Sequence, residues 1–182
     1  MPKEVSQKDQ IILKKIRANI VRFMTESAKI YDAPGKRLLD IAPLSHEGAG
    51  AYFKKARIDA LDIDPKSGAT YIADLTKNNK DIIKSGTYDI IVCTEVLEHT
   101  LNPFAAAKEI KRLLAPGRGI ALISVPYMFR IHGPLPDCWR FSVHGLRELF
   151  KDFNVLKIEE LEDEERFLAP FQYTMIVRKG KK

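Results

Sequence analysis

The chain has 182 residues, 45 % hydrophobic and 30 % charged, the balance of an ordinary soluble globular protein long enough to bury one core. No apolar run approaches the roughly 18 residues that cross a bilayer, and the opening MPKEVSQKDQ lacks the apolar centre of a secretory signal, so a single cytoplasmic domain with no membrane partner is expected over residues 1–182. The net charge of +6 is uneven, with Lys3, Lys8, Lys14, Lys15, Arg17, Arg22 and Lys29 near the N-terminus and six acids in residues 159–165; without interleaved aromatics this describes solvated faces, and nucleic acid is not the expected partner.

Within residues 1–30, Ile12, Leu13, Ile16, Ile20, Phe23 and Met24 recur at spacings of three and four, which predicts an amphipathic helix over residues 8–30. Pro34 and Gly35 end it. Leu38 to Ile41 is a strand that carries Asp40, followed by a Pro- and Gly-bearing loop (residues 42–50) and a short helix at 51–56. Ile58 to Ile63 is the second strand and ends on Asp62 and Asp64. The bland reading of these acids is that they cap turns, as loop carboxylates commonly do. Residues 70–75 form a short extended segment that includes Asp74. Tyr88 to Thr94 is a nearly continuous apolar run, the pattern of a strand covered on both faces.

Residues 102–114 read as a helix with Pro103 at its first position and Pro116-Gly117 as its stop. Gly119 to Val125 is another buried strand, residues 144–153 are helical, and strands at 153–161 and 171–178 close the chain. Strands alternating with helices predict an α/β fold: a Rossmann-like, doubly wound, mostly parallel seven-stranded sheet in a three-layer αβα sandwich. The last two strands lack a helix between them, so they form an antiparallel edge hairpin. Cys93 and Cys138 have neither metal-ligand spacing nor a disulfide framework.

Asp40, Asp62, Ala73-Asp74-Leu75, the run from Tyr88 to Val92 with Glu95-Val96-Leu97-Glu98-His99, and Leu113 to Gly119 follow one another in an order that resembles the class I S-adenosylmethionine-dependent methyltransferases. The likeness is to their small-molecule branch, methyltransferase type 11, and it covers about residues 17–178. The resemblance implies S-adenosyl-L-methionine as cofactor, held by Asp40, Ala42, Gly48, Gly50, Asp62, Ile63, Asp74, Leu75, Thr94, Glu95 and His99. In it Asp40 serves the methionine ammonium, Asp62 the ribose diol and Asp74 the adenine amino group. The glycine positions of the family's first loop hold Ala42, Leu44 and His46 here, while Gly48 and Gly50 follow, which implies a rearranged loop. Glu95, Glu98 and His99 resemble the loop through which some quinone-pathway O-methyltransferases bind a divalent ion. The further acid that such a loop carries is Pro103 here, and no metal is expected.

The acceptor side is expected in residues 126–142, PYMFRIHGPLPDCWRFS, a loop whose Pro, aromatic and charged residues exceed what a connector needs. It resembles a segment found in bacterial methyltransferases of polysaccharide and lipid pathways. His132 is the candidate general base, because an imidazole titrates near neutrality. Asp137 would orient it or bind an acceptor hydroxyl, Arg140 would hold a carboxylate or phosphate, and Tyr127, Phe129 and Trp139 would wall the acceptor. The competing reading makes Trp139 and Phe141 core anchors and Asp137–Arg140 a structural ion pair. The expected reaction is methyl transfer to a small-molecule or glycan-precursor acceptor, on a hydroxyl, by a chain that can form a homodimer through its N-terminal helix. Two alternatives fit the same residues: a non-catalytic module with a degenerate glycine loop, and a nucleic-acid methyltransferase. A dinucleotide dehydrogenase ranks last, since no G-x-G-x-x-G is present.

Overall fold

A computed structural model of the chain describes residues 5–43, 48–164 and 167–180, so Leu44 and His46 lie outside the described residues. Helix α1 (Gln7–Tyr31) starts at Ser6, whose hydroxyl accepts the N–H of Asp9, and it buries Ile12, Ile16, Phe23 and Met24. Strands β1 (Arg37–Ile41), β2 (Arg57–Asp62), β3 (Tyr71–Ile72), β4 (Ile90–Thr94) and β5 (Ile120–Pro126) are followed by β6 (Phe153–Leu161) and β7 (Gln172–Lys179). Helices α2 (Pro103–Leu113) and α3 (Val143–Leu149) flank β5 in the chain.

The strands form one sheet in the order β3-β2-β1-β4-β5-β7-β6, with β1 to β5 parallel and β7 antiparallel to both β5 and β6. This is the expected doubly wound fold with its antiparallel edge. The strand order reverses direction between β1 and β4, and in such sheets the crevice at the carboxyl ends of these two strands is where ligands bind. Along each strand, side chains alternate between two layers. Leu39, Ile41, Ile91, Cys93, Ala121 and Ile123 pack under α2 and α3. Leu38, Ile90, Val92, Ile120, Leu122 and Ile176 pack under Phe23 and Met24 of α1 and under Phe53. Asp40, Thr94 and Ser124 share the parity of the α1 face, so the polar ends of three strands point beneath that helix.

One expected element is absent: residues 51–56 are not helical. A single 3-10 turn, Ala49–Ala51, is followed by bends. The reason is Asp32, whose carboxylate accepts the N–H groups of Lys54, Lys55 and Ala56 that a helix would direct to its own carbonyls. The helix expected at 144–153 is shorter, stopping at Leu149 before the turn into β6. None of the helices is long and apolar enough to cross a membrane among the described residues.

Candidate active site

The crevice is built first from β1. Asp40 is buried at 5 % exposure on the α1 face, and its Oδ2 accepts the N–H of Ala49 at 2.5 Å. Burial pushes this carboxyl up to about 6, against the opposing pull of that N–H. After β1 the chain turns through Ala42 at φ 51° and returns at Gly48 with φ 62°. A Cβ on Gly48 would stand 3.1 Å from Asp40 Oδ2 and 3.3 Å from Pro43 Cβ, so a glycine is required there by both conformation and space. Gly50 shows no such constraint: its nearest neighbour would be Ile58 Cδ1 at 3.9 Å, and it sits inside the 3-10 turn. Asp40, Ala42, Gly48 and Thr94 line one narrow cavity of about 40 Å³, roofed by Ile20 and Met24 of α1.

Asp62 and Asp74 stand at the carboxyl ends of β2 and beyond β3, on the same edge of the sheet but outside that cavity. Each caps a turn, as the bland reading has it. Asp62 Oδ1 accepts the N–H of Asp64 at 2.8 Å, and Asp74 Oδ1 accepts the N–H and hydroxyl of Thr76 at 2.8 and 2.7 Å. The Oδ2 of each has no protein donor among the described residues. Ile63 is 68 % exposed beside the buried Asp62, an apolar surface left open at a strand end, whereas the side chain of Leu75 is buried in the core under α2.

Strand β4 ends in a polar chain whose members lie far apart along the sequence, with no local pattern to connect them. Glu95, at φ 54°, accepts at Oε1 from the Ser124 hydroxyl and from Gln172 Nε2, both at 2.8 Å. Gln172 in turn accepts from Asn19 Nδ2 of α1 at 2.8 Å. The chain thus couples α1, β7, β5 and the β4 loop. Burial raises the Glu95 carboxyl, while Gln172 and Ser124 pull it down.

The loop after β5 lies on the 3-10 turn Leu97–His99 and is tied to it by four contacts. The N–H groups of Cys138 and Trp139 donate to the Glu98 carbonyl at 2.7 and 3.2 Å, Trp139 Nε1–H donates to Thr100 O at 2.7 Å, and His99 Nδ1 lies 3.0 Å from Pro136 O. Trp139 stacks on Phe141, so it anchors the loop instead of walling a pocket, and Tyr127 packs edge-on against Tyr173. Arg140 is the second anchor. Its Nε donates to Phe129 O, Nη1 to Asp137 Oδ1 and Trp139 O, and Nη2 to Asp137 Oδ2 and Arg130 O. All five donors of the guanidinium are therefore engaged inside the loop, and it has none left for an acceptor's carboxylate or phosphate. The expected role of Arg140 in holding an acceptor is corrected on this ground: it fixes the loop.

Asp137, held down to about 2 against its burial by Arg140 and by the His132 N–H, also faces His132 Nδ1 at 3.1 Å. Both neighbours of Nδ1, Asp137 Oδ2 and Arg130 O, are acceptors, so Nδ1 carries the hydrogen and Nε2 carries the lone pair. Burial lowers the His132 pKa and outweighs the opposing Asp137, so the imidazole is neutral at pH 7. His132, Asp137 and Arg140 are thus brought together, and His132 meets His99 edge-on with ring centroids 5.0 Å apart. These two histidines and Glu95 line a cavity of about 380 Å³ with Phe129, Ile131 and Pro134 on one side and Leu13, Ile16, Arg17 and Ile20 of α1 on the other. Ile20 is a wall of both cavities.

Below the histidines lies Glu98, 0 % exposed, with neither carboxylate oxygen hydrogen-bonded. Burial, then the charge of Glu95, raises its pKa well above the usual range. Nε2 of His99 is 3.6 Å and Nε2 of His132 is 3.8 Å from Glu98 Oε1.

The family model described as a methyltransferase domain matches residues 10–160. The chain belongs to the methyltransferase domain family. Among curated proteins, the ubiquinone biosynthesis O-methyltransferase of Vibrio parahaemolyticus is 25 % identical over 122 residues, which is 67 % of this chain and 46 % of that protein. The chain thus spans about half the length of that relative. Among solved structures, the Burkholderia thailandensis 1,6-didemethyltoxoflavin-N1-methyltransferase, with bound 1,6-didemethyltoxoflavin and S-adenosylhomocysteine, superposes with a TM-score of 0.61 at 16 % identity, covering 99 % of this chain and 93 % of that one. TehB of Haemophilus influenzae gives 0.60 at 22 %, covering 86 % and 61 %. The [4+2]-cyclase SpnF gives 0.68 at 14 %, covering 90 % and 81 %, so the shared fold by itself does not fix a reaction.

The crevice suits S-adenosylmethionine, the cofactor that the sequence resemblance implies. A cationic ammonium matches a buried carboxylate such as Asp40, and the close backbone approach at Gly48 leaves a cradle that any Cβ would fill. The acids at the ends of β2 and β3 each keep one oxygen for hydroxyl or amino donors.

Proposed function

We propose that the chain is an S-adenosylmethionine-dependent methyltransferase that acts on a hydroxyl of a small molecule or glycan precursor. One observation carries this reading: the Asp40–Gly48 cavity and the 380 Å³ cavity share the Ile20 wall, and the second is lined by the His132 imidazole, whose pKa burial lowers. Its volume falls in the range of small-ligand pockets, roughly 300–1,000 Å³. When bound, the cofactor supplies a methyl group already activated on a sulfonium.

The chain's own residues then divide the remaining tasks. Asp40 would hold the ammonium end, with Ala42, Gly48 and Thr94 around it. Asp62 would take the ribose hydroxyls, Ile63 would cover a face of the base, and Asp74 with the backbone at Leu75 would meet its edge. Gly50 lies on the turn behind this surface, and Glu95 and His99 would border it on the acceptor side. In the larger cavity, Leu13, Ile16, Phe129 and Ile131 exclude water, which favours transfer to the acceptor over hydrolysis. Alignment of acceptor and donor by such walls can contribute about 7 to 11 kcal/mol. The lone pair of His132 Nε2 acts at the acceptor's hydroxyl, with Asp137 and Arg140 holding the ring. Activation of this kind contributes about 10² to 10⁴ in rate.

The test is transfer of labelled methyl to a panel of phenols and sugar nucleotides, together with calorimetric titration with S-adenosylhomocysteine. Saturable binding lost in Asp40→Ala and Asp62→Ala, with turnover of one acceptor class lost in His132→Ala, is expected. Absence of S-adenosylhomocysteine binding would leave only a non-catalytic module with this fold.

A further inference from the structure

We propose that Glu98, His99 and His132 form a binding site for one divalent first-row transition ion of the zinc type. The three atoms that would ligate it, one Glu98 oxygen and a ring nitrogen of each histidine, lie within 4.8 Å of one another. Two ligands about 2.0–2.1 Å from a zinc ion at the tetrahedral angle stand about 3.3 Å apart, close to the 3.6 and 3.8 Å from Glu98 Oε1 to the two Nε2 atoms.

The surroundings select the lone pairs. His99 Nδ1 faces the Pro136 carbonyl and His132 Nδ1 faces the Asp137 carboxylate, both acceptors, so each ring donates outward and turns an unprotonated Nε2 inward. This outward hydrogen bond is the usual support of a metal-bound imidazole. Glu98 supplies an independent observation. A wholly buried carboxylate without any hydrogen bond is costly unless something cationic meets it, and its Oε1 points at the two nitrogens, which in these tautomers offer it no proton.

Two imidazoles with one carboxylate favour zinc-like ions over magnesium, which prefers all-oxygen shells. Glu95 is not in the ligand set, since its Oε1 is already taken by Ser124 and Gln172. The site is therefore assembled across two loops, residues 98–99 and residue 132. Both histidines line the 380 Å³ cavity, so a fourth coordination position opens on it. Under the methyltransferase reading, an acceptor hydroxyl entering that position would be acidified by the ion, so that with the ion bound His132 acts on the hydroxyl through the metal instead of directly as in the ion-free site.

Ion binding is read without turnover. The full chain is stripped with a chelator and titrated with Co²⁺, following visible absorption, and with Zn²⁺, following calorimetry and the unfolding temperature. One equivalent should bind, with the intense absorption of a four-coordinate site, and Zn²⁺ should raise the unfolding temperature. Glu98→Gln, close in shape, and His132→Ala should each weaken binding 100-fold or more and abolish the Zn²⁺-induced rise, while S-adenosylhomocysteine affinity persists. His144→Ala, at an exposed position on α3, should change nothing. No stoichiometric binding, or binding that survives in Glu98→Gln, would overturn the site and leave the methyltransferase reading to its own test.

Discussion

Asp40 is the residue on which cofactor binding and stability pull in opposite directions. Its carboxyl is raised from 3.8 to about 6 by burial, so the folded chain holds the proton more tightly than the unfolded one. The stability this group lends is present at low pH and is lost as pH rises from about 4 through 6, by an amount on the order of 3 kcal/mol. Urea midpoints measured at intervals from pH 4 to 7 should fall in the native chain relative to Asp40→Asn. Cofactor affinity should run the other way, since an ammonium needs the ionised form: S-adenosylhomocysteine binding should weaken up to about tenfold per unit as pH drops below the pKa of the free site. An affinity flat from pH 5 to 7 would remove Asp40 from contact with the ammonium. Ala42 offers a second residue-level test. It occupies φ 51°, which costs a non-glycine residue roughly 1–2 kcal/mol, partly offset by the greater unfolded-state freedom of glycine. Ala42→Gly should therefore stabilise by about 0.5–1 kcal/mol, a rise of a few degrees in unfolding temperature. The resemblance to the methyltransferases marked Ala42 as a substituted glycine position. The counterpart requirement at Gly48 arises only because the folded loop comes back over Asp40.

Among the elements, the loop after β5 is the one whose rigidity matters most. Asp137 is wholly buried on its side chain and depends on Arg140, and breaking such a pair costs about 3–5 kcal/mol because one charge is left unpaired. The loop lies outside the sheet, so the loss should appear as local opening. In Arg140→Ala, amides of residues 129–140 should exchange with solvent roughly a hundredfold faster or more, while those of β4 and β5 keep their protection. S-adenosylhomocysteine affinity should change little, and turnover should fall. If turnover survived with the loop opened, the posture of His132 would not matter to catalysis. The sequence marked this loop by its density of Pro, aromatic and charged residues, and it offered the ion pair and the acceptor contact as rival uses of Arg140. The choice between them needed the carbonyls of Phe129, Arg130 and Trp139, whose positions no local pattern specifies. The segment after Gly50 is the converse case: its residues are compatible with helix, but Asp32, far earlier in the chain, takes their N–H groups.

For the whole molecule, the sheet order sets both the gradient of stability and the location of chemistry. Strands β1, β4 and β5 are buried between two helical layers, whereas β3 has two residues at the sheet edge. Native-state hydrogen exchange should be slowest in β1, β4, β5 and β7 and fastest in β3 and residues 48–56; comparable protection in β3 would contradict this layering. Charged groups at the opposite ends of the strands are structural: Asp89 meets Lys36 and Arg118, and Asp59 meets Arg37 and Tyr88. Apolar period and turn residues are local properties, so the sequence alone determined the strands, their alternation with helices and the placement of Asp40, Asp62 and Asp74 at strand ends on one edge. Only the tertiary structure decided that α1 roofs both cavities, that Asn19, Gln172, Glu95 and Ser124 form one buried chain, and that Glu98 and two histidines 33 positions apart share a point in space. Those relations are between residues distant in the chain, and their energies depend on burial and on which neighbour satisfies which donor, quantities that exist only once the layers have packed.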